Sequence, residues 1–443
     1  MSTLGQVMNT AMRSIMANQY ALSVSSNNIA NANNPDFSRQ RLIMRPAGPD
    51  GSPWGIGMGV DVVGVQALRD DLLEARYRHA LSSKFGLQTQ AGRLSEMETA
   101  FNDSDGTGLL KSITDFFNSF QILSQDPASP TFREQVKTTA RLLIEGFHAK
   151  DRELRDMKAA ADKAIGFGVE EVNRLTSEIA SITRQIKIEE AGRRADNLRD
   201  RRIALVKELS QYIEVNELDS GDYQVTTKDN RLLVMNVGSI PITAADITAT
   251  IGSGLLHAEL EIRDVYVPKY AAGLDQLAYE ITQQVNSIHS AAFDSDGNTG
   301  VDFFNPLAAA TDAARLISLS ADVAGNSRRI AASNLAVGND NGAAIALGNL
   351  LYDQVFSGGS VTDQYGALVF SVGSDVATSQ SGLDEQSAIL VQLENRRQSM
   401  SGVSIEEETL QMQQFQRAYE ASAQLIKVVD ELLQVTLGIV GTR

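Results

Sequence analysis

The stretch Ser25-Ser26-Asn27-Asn28-Ile29-Ala30-Asn31-Ala32-Asn33-Asn34-Pro35-Asp36-Phe37-Ser38-Arg39-Gln40 closes a segment in which Met8, Ile15, Leu22 and Ile29 recur every seven positions, with Leu4 ahead of them. A seven-residue apolar beat keeps one side of a helix turned toward a partner helix. The Asn-rich run before Pro35 reads as the stop of that helix. At the other end of the chain Ile405, Met412, Tyr419, Ile426, Leu433 and Val440 repeat the beat, and Phe415 and Val429 fall beside it. Two such segments most simply pack on each other or on neighbouring copies. That is the build of an assembly subunit.

Bulk composition narrows the classes. With 443 residues, 43% hydrophobic and 21% charged, the chain can bury sizeable cores and spans two to four domains. A net charge of −16 argues against a sequence-independent nucleic-acid binder, because phosphate contact needs a surplus of Lys and Arg on one face. Basic runs such as Arg193-Arg194 and Arg199 to Arg202 sit among acids and read as a solvated helix face. Cysteine is absent, which removes disulfides, thiolate catalysis and Cys-based zinc sites. No cleavable signal peptide is visible at Met1-Ser2-Thr3-Leu4-Gly5, and no apolar run approaches the ~20 residues of a membrane helix. We expect a chain without a membrane partner that leaves its compartment, if it does, by a route needing no such peptide.

Proline and glycine divide the chain. All nine prolines fall at 35 to 53, 127 to 130, 241 to 268 and 306, leaving 131 to 240 and 307 to 443 free for long helices. Turns and short extended pieces are expected at 46 to 65, around Val60-Asp61-Val62-Val63, and a helix from about Ala67 to Ala100. Leu109 to Leu123 reads as a short helix with Phe116, Phe117 and Phe120 inward. From Thr131 a very long helical pattern carries Ile165, Val172, Ile179 and Ile186, then starts afresh at Leu198, Leu205, Leu209 and Ile213 after Asp196, read as an N-cap. This predicts an antiparallel helical hairpin turning at about 191 to 196.

Residues 214 to 267 alternate polar with β-branched or aromatic side chains, the pattern of a small antiparallel β insert. Helical periodicity returns from Val267 to Ala292. Strands and loops are expected near Leu316 to Leu319, and helices again from Ala343, over Val369 to Leu393 and from about Glu406. The expected fold is mainly α with a small β insert, an elongated rod. Its divisions are 1–65, pairing with 403–443; 66–213, with the hairpin; 214–267, the β insert; and 268–402, the second helical part.

Candidate chemical motifs are weak. Gly55-Ile56-Gly57-Met58-Gly59 has Val60 where a dinucleotide fingerprint needs its third glycine, and an extended piece follows where a helix should. Asp294-Ser295-Asp296-Gly297-Asn298 has Thr299 and Asn305 where a calcium loop needs Gly and Glu, and Asp103 to Gly108 fails likewise at Thr114. His79, His148, His257 and His289 are isolated, and Trp54 reads as core. No catalytic, cofactor or metal residues are assigned, and no enzyme is expected.

The residues from Ser25 to Gln40 resemble the signature of the flagellar axial proteins, and the Ser38-Arg39-Gln40 continuation is most similar to those of the hook-filament junction. Asn28, Ile29, Ala30, Asn31, Asn33, Pro35, Phe37, Ser38, Arg39 and Gln40 carry the match. Ser401-Gly402-Val403-Ser404-Ile405-Glu406-Glu407-Glu408 with Leu410, Phe415, Gln416 and Tyr419 is similar to the axial C-terminal helix, and Phe116 to Ser124 to the junction proteins' helical middle. Asp36 stands where the pattern often has Gly, and residues 305 to 345 leave little room for the further β domain of larger members.

The resemblance implies a structural adaptor between hook and filament, exported by the flagellar type III route and polymerising at the hook tip. It also implies location at the hook-filament junction of the flagellum. Implied partners are other copies of the chain, hook protein, a second junction protein or the flagellin side, and a cytoplasmic export chaperone on the C-terminal helix, where Leu425, Val428, Leu432, Val435 and Ile439 widen the apolar face. A hook or distal rod protein is the alternative.

Overall fold

The computed structural model describes residues 2–48, 57–102, 108–190, 195–219, 222–247, 251–336 and 340–440. The fold is 69% helical, elongated, with a few small antiparallel sheets. Helix α1 (Ser2–Ala30) ends at the Asn-rich run. Strands β1 (Gln40–Pro46) and β2 (Val60–Ala67) pair antiparallel from Gln40↔Ala67 to Pro46↔Val60, with a bulge between Ile43 and Met44. Trp54, Gly55 and Ile56 lie outside the described residues, as do Asp103 to Thr107.

Helix α2 (Asp71–Phe101) starts where the Asp70 carboxylate accepts from the Leu72 and Leu73 N–H groups. Helix α3 (Leu109–Leu123) follows, then α4 (Pro130–Glu189), 60 residues capped by Ser129 with Pro130 in its first turn, where the missing N–H is harmless. At 1.5 Å per residue it runs ~90 Å. Helix α5 (Asp196–Tyr212) returns against it, tied by Arg174 to Glu208 and Arg201 to Glu178. Asp196 is already helical and Ala195 holds the cap position; in the first turn the carboxylate still faces the positive end of the dipole. Of the expected turn, 191–194 lie outside the described residues.

A meander β3 (Val215–Asp219), β4 (Tyr223–Thr227), β5 (Leu232–Met235) and β6 (Gly238–Ser239) comes next, in that order. On β4 alternation sends Tyr223, Val225 and Thr227 inward. Strand character ends at Ser239, and the expectation of β structure up to 267 is corrected: α6 (Leu255–Glu261) passes through a π turn at Ile262–Tyr266 into α7 (Val267–His289). Leu256 and Leu260, four apart and buried, satisfy a helical face. Pro268, which cannot donate to the helical ladder, sits just past the π turn. Gly254 adopts φ +108 beside the end of α5, where an added Cβ would lie 2.6 Å from the Tyr212 carbonyl oxygen.

Short helices α8 (Ala313–Leu316) and α9 (Ala321–Gly325) interrupt the next loops. Where strands were expected near Leu316 to Leu319, α8 is followed only by an isolated bridge from Leu319 to Phe304. Helix α10 (Gly342–Asn349) leads to α11 (Val361–Ser401), longer at both ends than the Val369 to Leu393 expected. A capping box of Ser360 and Asp363 starts it early. Helix α12 (Ile405–Val440) ends the described chain.

Two cores share α4. The first gathers Phe116, Phe117 and Phe120 of α3 with Phe303 and Phe304, the first half of α4, α7 and the start of α11. Phe116 stands 5.0 Å from Phe117 and 5.6 Å from Phe303, centroid to centroid, in tilted and edge-on arrangements favoured by the ring quadrupoles. The second packs Ile165, Val172, Leu175 and Ile179 of α4 on Leu205 and Leu209 of α5, the inner face of the meander and Leu256 of α6. Gly168 admits Leu256, whose Cδ2 would lie 2.5 Å from a Cβ there.

His289, at the end of α7, is fully buried beside the first core. Its Nδ1–H donates to the Val301 carbonyl (2.7 Å) and Nε2 accepts from the Ala331 N–H (2.8 Å), a pattern only the neutral ring satisfies. Burial pushes its pKa down from 6.5 to about 4. Above pH 6.5 the ring is neutral folded or unfolded; below it the unfolded chain takes a proton that the fold resists. Stability therefore falls as pH drops from 6.5 toward 4, by about 3 kcal/mol from this group. Urea midpoints of wild type and His289→Gln across that range test it: the wild type loses stability more steeply than the variant.

The terminal helices bury far less. Among the described residues α1 buries Ala11, Ala17, Ala21, Ser25 and Asn28, and α12 buries Glu408 and Val429. Since packing supplies most helical stability, amides in α1 and α12 exchange faster than those of α3 and α7 in the monomer. The expected factor is on the order of ten or more, about 1.4 kcal/mol of local stability. Hydrogen exchange read by mass spectrometry measures it, and equal protection refutes it.

Candidate functional site

Helices α1 and α12 pair along their lengths, and the seven-residue beats explain how. Leu4, Met8, Ile15, Leu22 and Ile29 are half-buried, as are Met412, Phe415, Tyr419, Ile426 and Leu433, with Val429 buried. Small residues let the backbones approach: Ala11, Ala21 and Ser25 are buried, and the Ser14 and Ser422 hydroxyls meet at 2.8 Å. Ile405 is 52% exposed, so within one chain it takes no part in the seam. The side chains of Ile439 and Val440 lie outside the described residues.

A second apolar stripe on each helix faces away from the pair. On α12 it is Leu425, Val428, Leu432 and Val435, all 42% to 59% exposed. On α1 it is Met12, Met16 and Tyr20, spaced by four and 42% to 57% exposed. The α1 stripe escaped the sequence reading although its i, i+4 spacing was there to find. Rows of exposed apolar side chains of this kind are surfaces open to contact.

The Asn-rich signature folds the chain back against α1. The buried Asn28 amide donates to the Gln40 carbonyl and accepts from the Gln40 N–H, both at 2.9 Å, pairing with that residue as a strand would. Asn27 Nδ2 donates to the Gln40 side chain (3.3 Å), and Asn31 Nδ2 donates to the Asn27 carbonyl (2.9 Å). Beyond the pleat, Arg13 of α1 pairs with Asp61 of β2. Ala30 and Asn33 are exposed, and Ile29 and Phe37 half-buried.

The rest of the signature meets the helical body and the start of α12. The Arg39 N–H donates to the Ser401 carbonyl (2.9 Å), while its guanidinium reaches Glu408 (2.7 Å) and Glu407 (2.9 Å). The Pro35 carbonyl accepts from Arg397 (2.7 Å) and Asp36 pairs with Lys207 (3.0 Å). Buried Ser38 offers its backbone N–H to Asp200, which also holds Arg69 at 2.5 Å. Burial outweighs both partners and raises the Asp200 pKa to about 6. A cleft of about 630 Å³ opens here between Pro35, Phe37, Arg39, Arg397, Gly402 and Glu407.

Titratable groups elsewhere are engaged locally. His79 meets Glu214 at 3.0 Å and His148 the Ile317 carbonyl at 3.1 Å. The Asp294 carboxylate accepts from the Asp296 and Asn298 N–H groups and pairs with Arg329, closing an Asx turn. Among the described residues no three His, Asp or Glu side chains are grouped to hold a metal, and no helix is long and apolar enough to cross a membrane.

Asn28→Ala leaves both backbone groups of Gln40 unpaired in a buried place, at a cost of about 1–3 kcal/mol per group. The expected outcome is detachment of the β1–β2 pleat from α1, read as faster proteolysis between 40 and 67 with the melting of the helical body unchanged. Equal cleavage in both proteins refutes it.

Comparison with known proteins gives concordant results. Residues 94–304 match a family model described as the flagellar hook-associated protein FlgK helical domain, and residues 395–439 one described as the flagellar basal body rod FlgEFG protein C-terminal. Flagellar hook-associated protein 1 of Bacillus subtilis (strain 168) is 28% identical, over 98% of this chain and 97% of that protein. Those of Escherichia coli (strain K12) and Salmonella typhimurium are 26% identical, over 98% of this chain and all of theirs. The flagellar hook junction protein FlgK from Burkholderia pseudomallei has the same fold, with a TM-score of 0.66 at 14% identity, over 74% of this chain and all of that structure. The chain is thus similar to flagellar hook-associated protein 1 along nearly its whole length, a likeness that supports a structural component of the flagellar axis.

Proposed function

We propose that this chain is a subunit of the junction between hook and filament, exported by the flagellar type III route and polymerising at the hook tip. The observation that carries the reading is the pairing of α1 with α12 with a second apolar stripe left open on each. Such a pair packs beside copies of itself into an inner layer, each ~30-residue helix spanning ~45 Å. In this reading 1–65 and 403–443 form that layer, the helical parts 66–213 and 268–402 touch lateral neighbours, and the insert within 214–267 faces outward.

The subunit's partners are then other copies, hook protein on one side, and a second junction protein or flagellin on the other. Before export, a cytoplasmic chaperone covers Leu425, Val428, Leu432 and Val435, which would otherwise aggregate. The match of 395–439 to a rod-type C-terminal model favours a second reading, another axial component such as a hook or distal rod protein. The match of 94–304 to the junction-type helical domain supports the first.

Deletion of the gene separates the two. The expected outcome by electron microscopy is hooks without filaments, restored by the wild-type chain and not by one with charge placed on the open α12 stripe, Leu425→Asp with Leu432→Asp. Cells lacking hooks as well would support the rod or hook reading.

A further inference from the structure

The chain passes between the helical body and the terminal part twice: once through residues 68 to 70, between β2 and α2, and once through the three residues between α11 and α12. The turn at 31 to 39, which leads from α1 to β1, lies between them, its Arg39 carbonyl accepting from the Leu68 N–H and its Arg39 N–H donating to the Ser401 carbonyl. Two short crossings side by side form a hinge. The turn and the second crossing border the 630 Å³ cleft, which the Arg397 hydrogen bond to Pro35 and the Arg39 ion pair with Glu407 span.

Tyr77 of α2 organises them. Lys207 of α5 lies 5.4 Å from its ring centroid and Arg397 of α11 lies 5.6 Å away, so one aromatic ring is flanked by two cations from different helices. Each cation then reaches the same turn, Lys207 to the Asp36 carboxylate and Arg397 to the Pro35 carbonyl. Arg397 is itself held by Glu394 at 2.9 Å. At the crossing between α11 and α12, Arg39 joins the end of α11, through the Ser401 carbonyl, to Glu407 and Glu408 in the first turn of α12.

We propose that Tyr77, Lys207 and Arg397, acting on Pro35 and Asp36, form a charge-operated latch that sets the angle of the terminal helix pair against the helical body. Ionic contacts weaken as salt screens them, whereas the apolar packing inside each body does not. The joint therefore releases while both bodies keep their fold. The use of an adjustable angle rests on the junction reading, since a subunit between two tubular lattices meets neighbours of two geometries; the latch itself does not depend on it.

The cysteine-free chain allows a direct test. Spin labels are placed at Lys158→Cys on α4 and Gln413→Cys on α12, both exposed, and the distance between them is read by pulsed electron resonance on the full-length monomer. At an ionic strength of about 0.01 M, where the screening length is ~30 Å, one narrow distance is expected; at about 1 M, where it is ~3 Å, that peak is lost to a broad distribution. Lys207→Met with Arg397→Met loses the narrow peak already at low salt, and Lys207→Arg, which keeps a cation for both the ring and the Asp36 carboxylate, retains it. Melting curves establish that the body of each variant is folded. A distribution unchanged by salt and by the double Met variant, or one already broad in the wild type at low salt, overturns the latch. Neither result bears on which structures a deletion strain assembles, so the two readings fail separately.

Discussion

A helix of some thirty residues with a narrow seven-residue apolar seam does not hold its shape in water unless that seam is covered. Here the matching stripe left to cover it is at the opposite end of the sequence, and the fold answers by bringing α1 and α12 together. That pairing dictates much of what lies between. The chain must enter the body after β2 and leave it after α11 at neighbouring places, and the signature lies between the two, its Arg39 backbone bonded to Leu68 on one side and Ser401 on the other. Arg39, which touches both Ser401 and Glu408, sits at that meeting point.

Much of this was legible beforehand because it is local. Heptad spacing announced the terminal helices, proline placement left room for α4, and Phe116, Phe117 and Phe120 fell on one side of a short helix that is indeed buried. The helical part of the fold class follows from those features, and the alternation after residue 214 adds the β insert. What escaped was structure whose cause lies far along the chain. Leu255 to Tyr266 fell within the alternating range assigned to the β insert, yet Gly254 lets the backbone pass close to Tyr212 and α6 begins there. Residues 294 to 345 carry little periodicity, but Phe303, Phe304, Ala314, Ile317 and Ile330 complete the first core.

The signature shows the same division. Its asparagines are intelligible as a helix stop, and the structure adds the reason for their number: one amide is spent on both backbone groups of Gln40, another on the last turn of α1. The residues that receive the rest of the motif were not readable. Arg397 is 362 positions from Pro35 and Lys207 is 171 from Asp36, and nothing in the local pattern of α5 or α11 marks those cations among their neighbours.

Helix α4 contributes Phe147 and Leu154 to one core and Ile165 to Ile186 to the region of the other, as a single unbroken element. Two hydrophobic cores in one chain usually behave as beads on a string. Here a continuous hydrogen-bonded strut runs through both, so a load applied to the meander is transmitted to the aromatic cluster along the stiffest direction a polypeptide has. The middle of the molecule bends as a beam, and twisting force travels through it with no soft linker to absorb it.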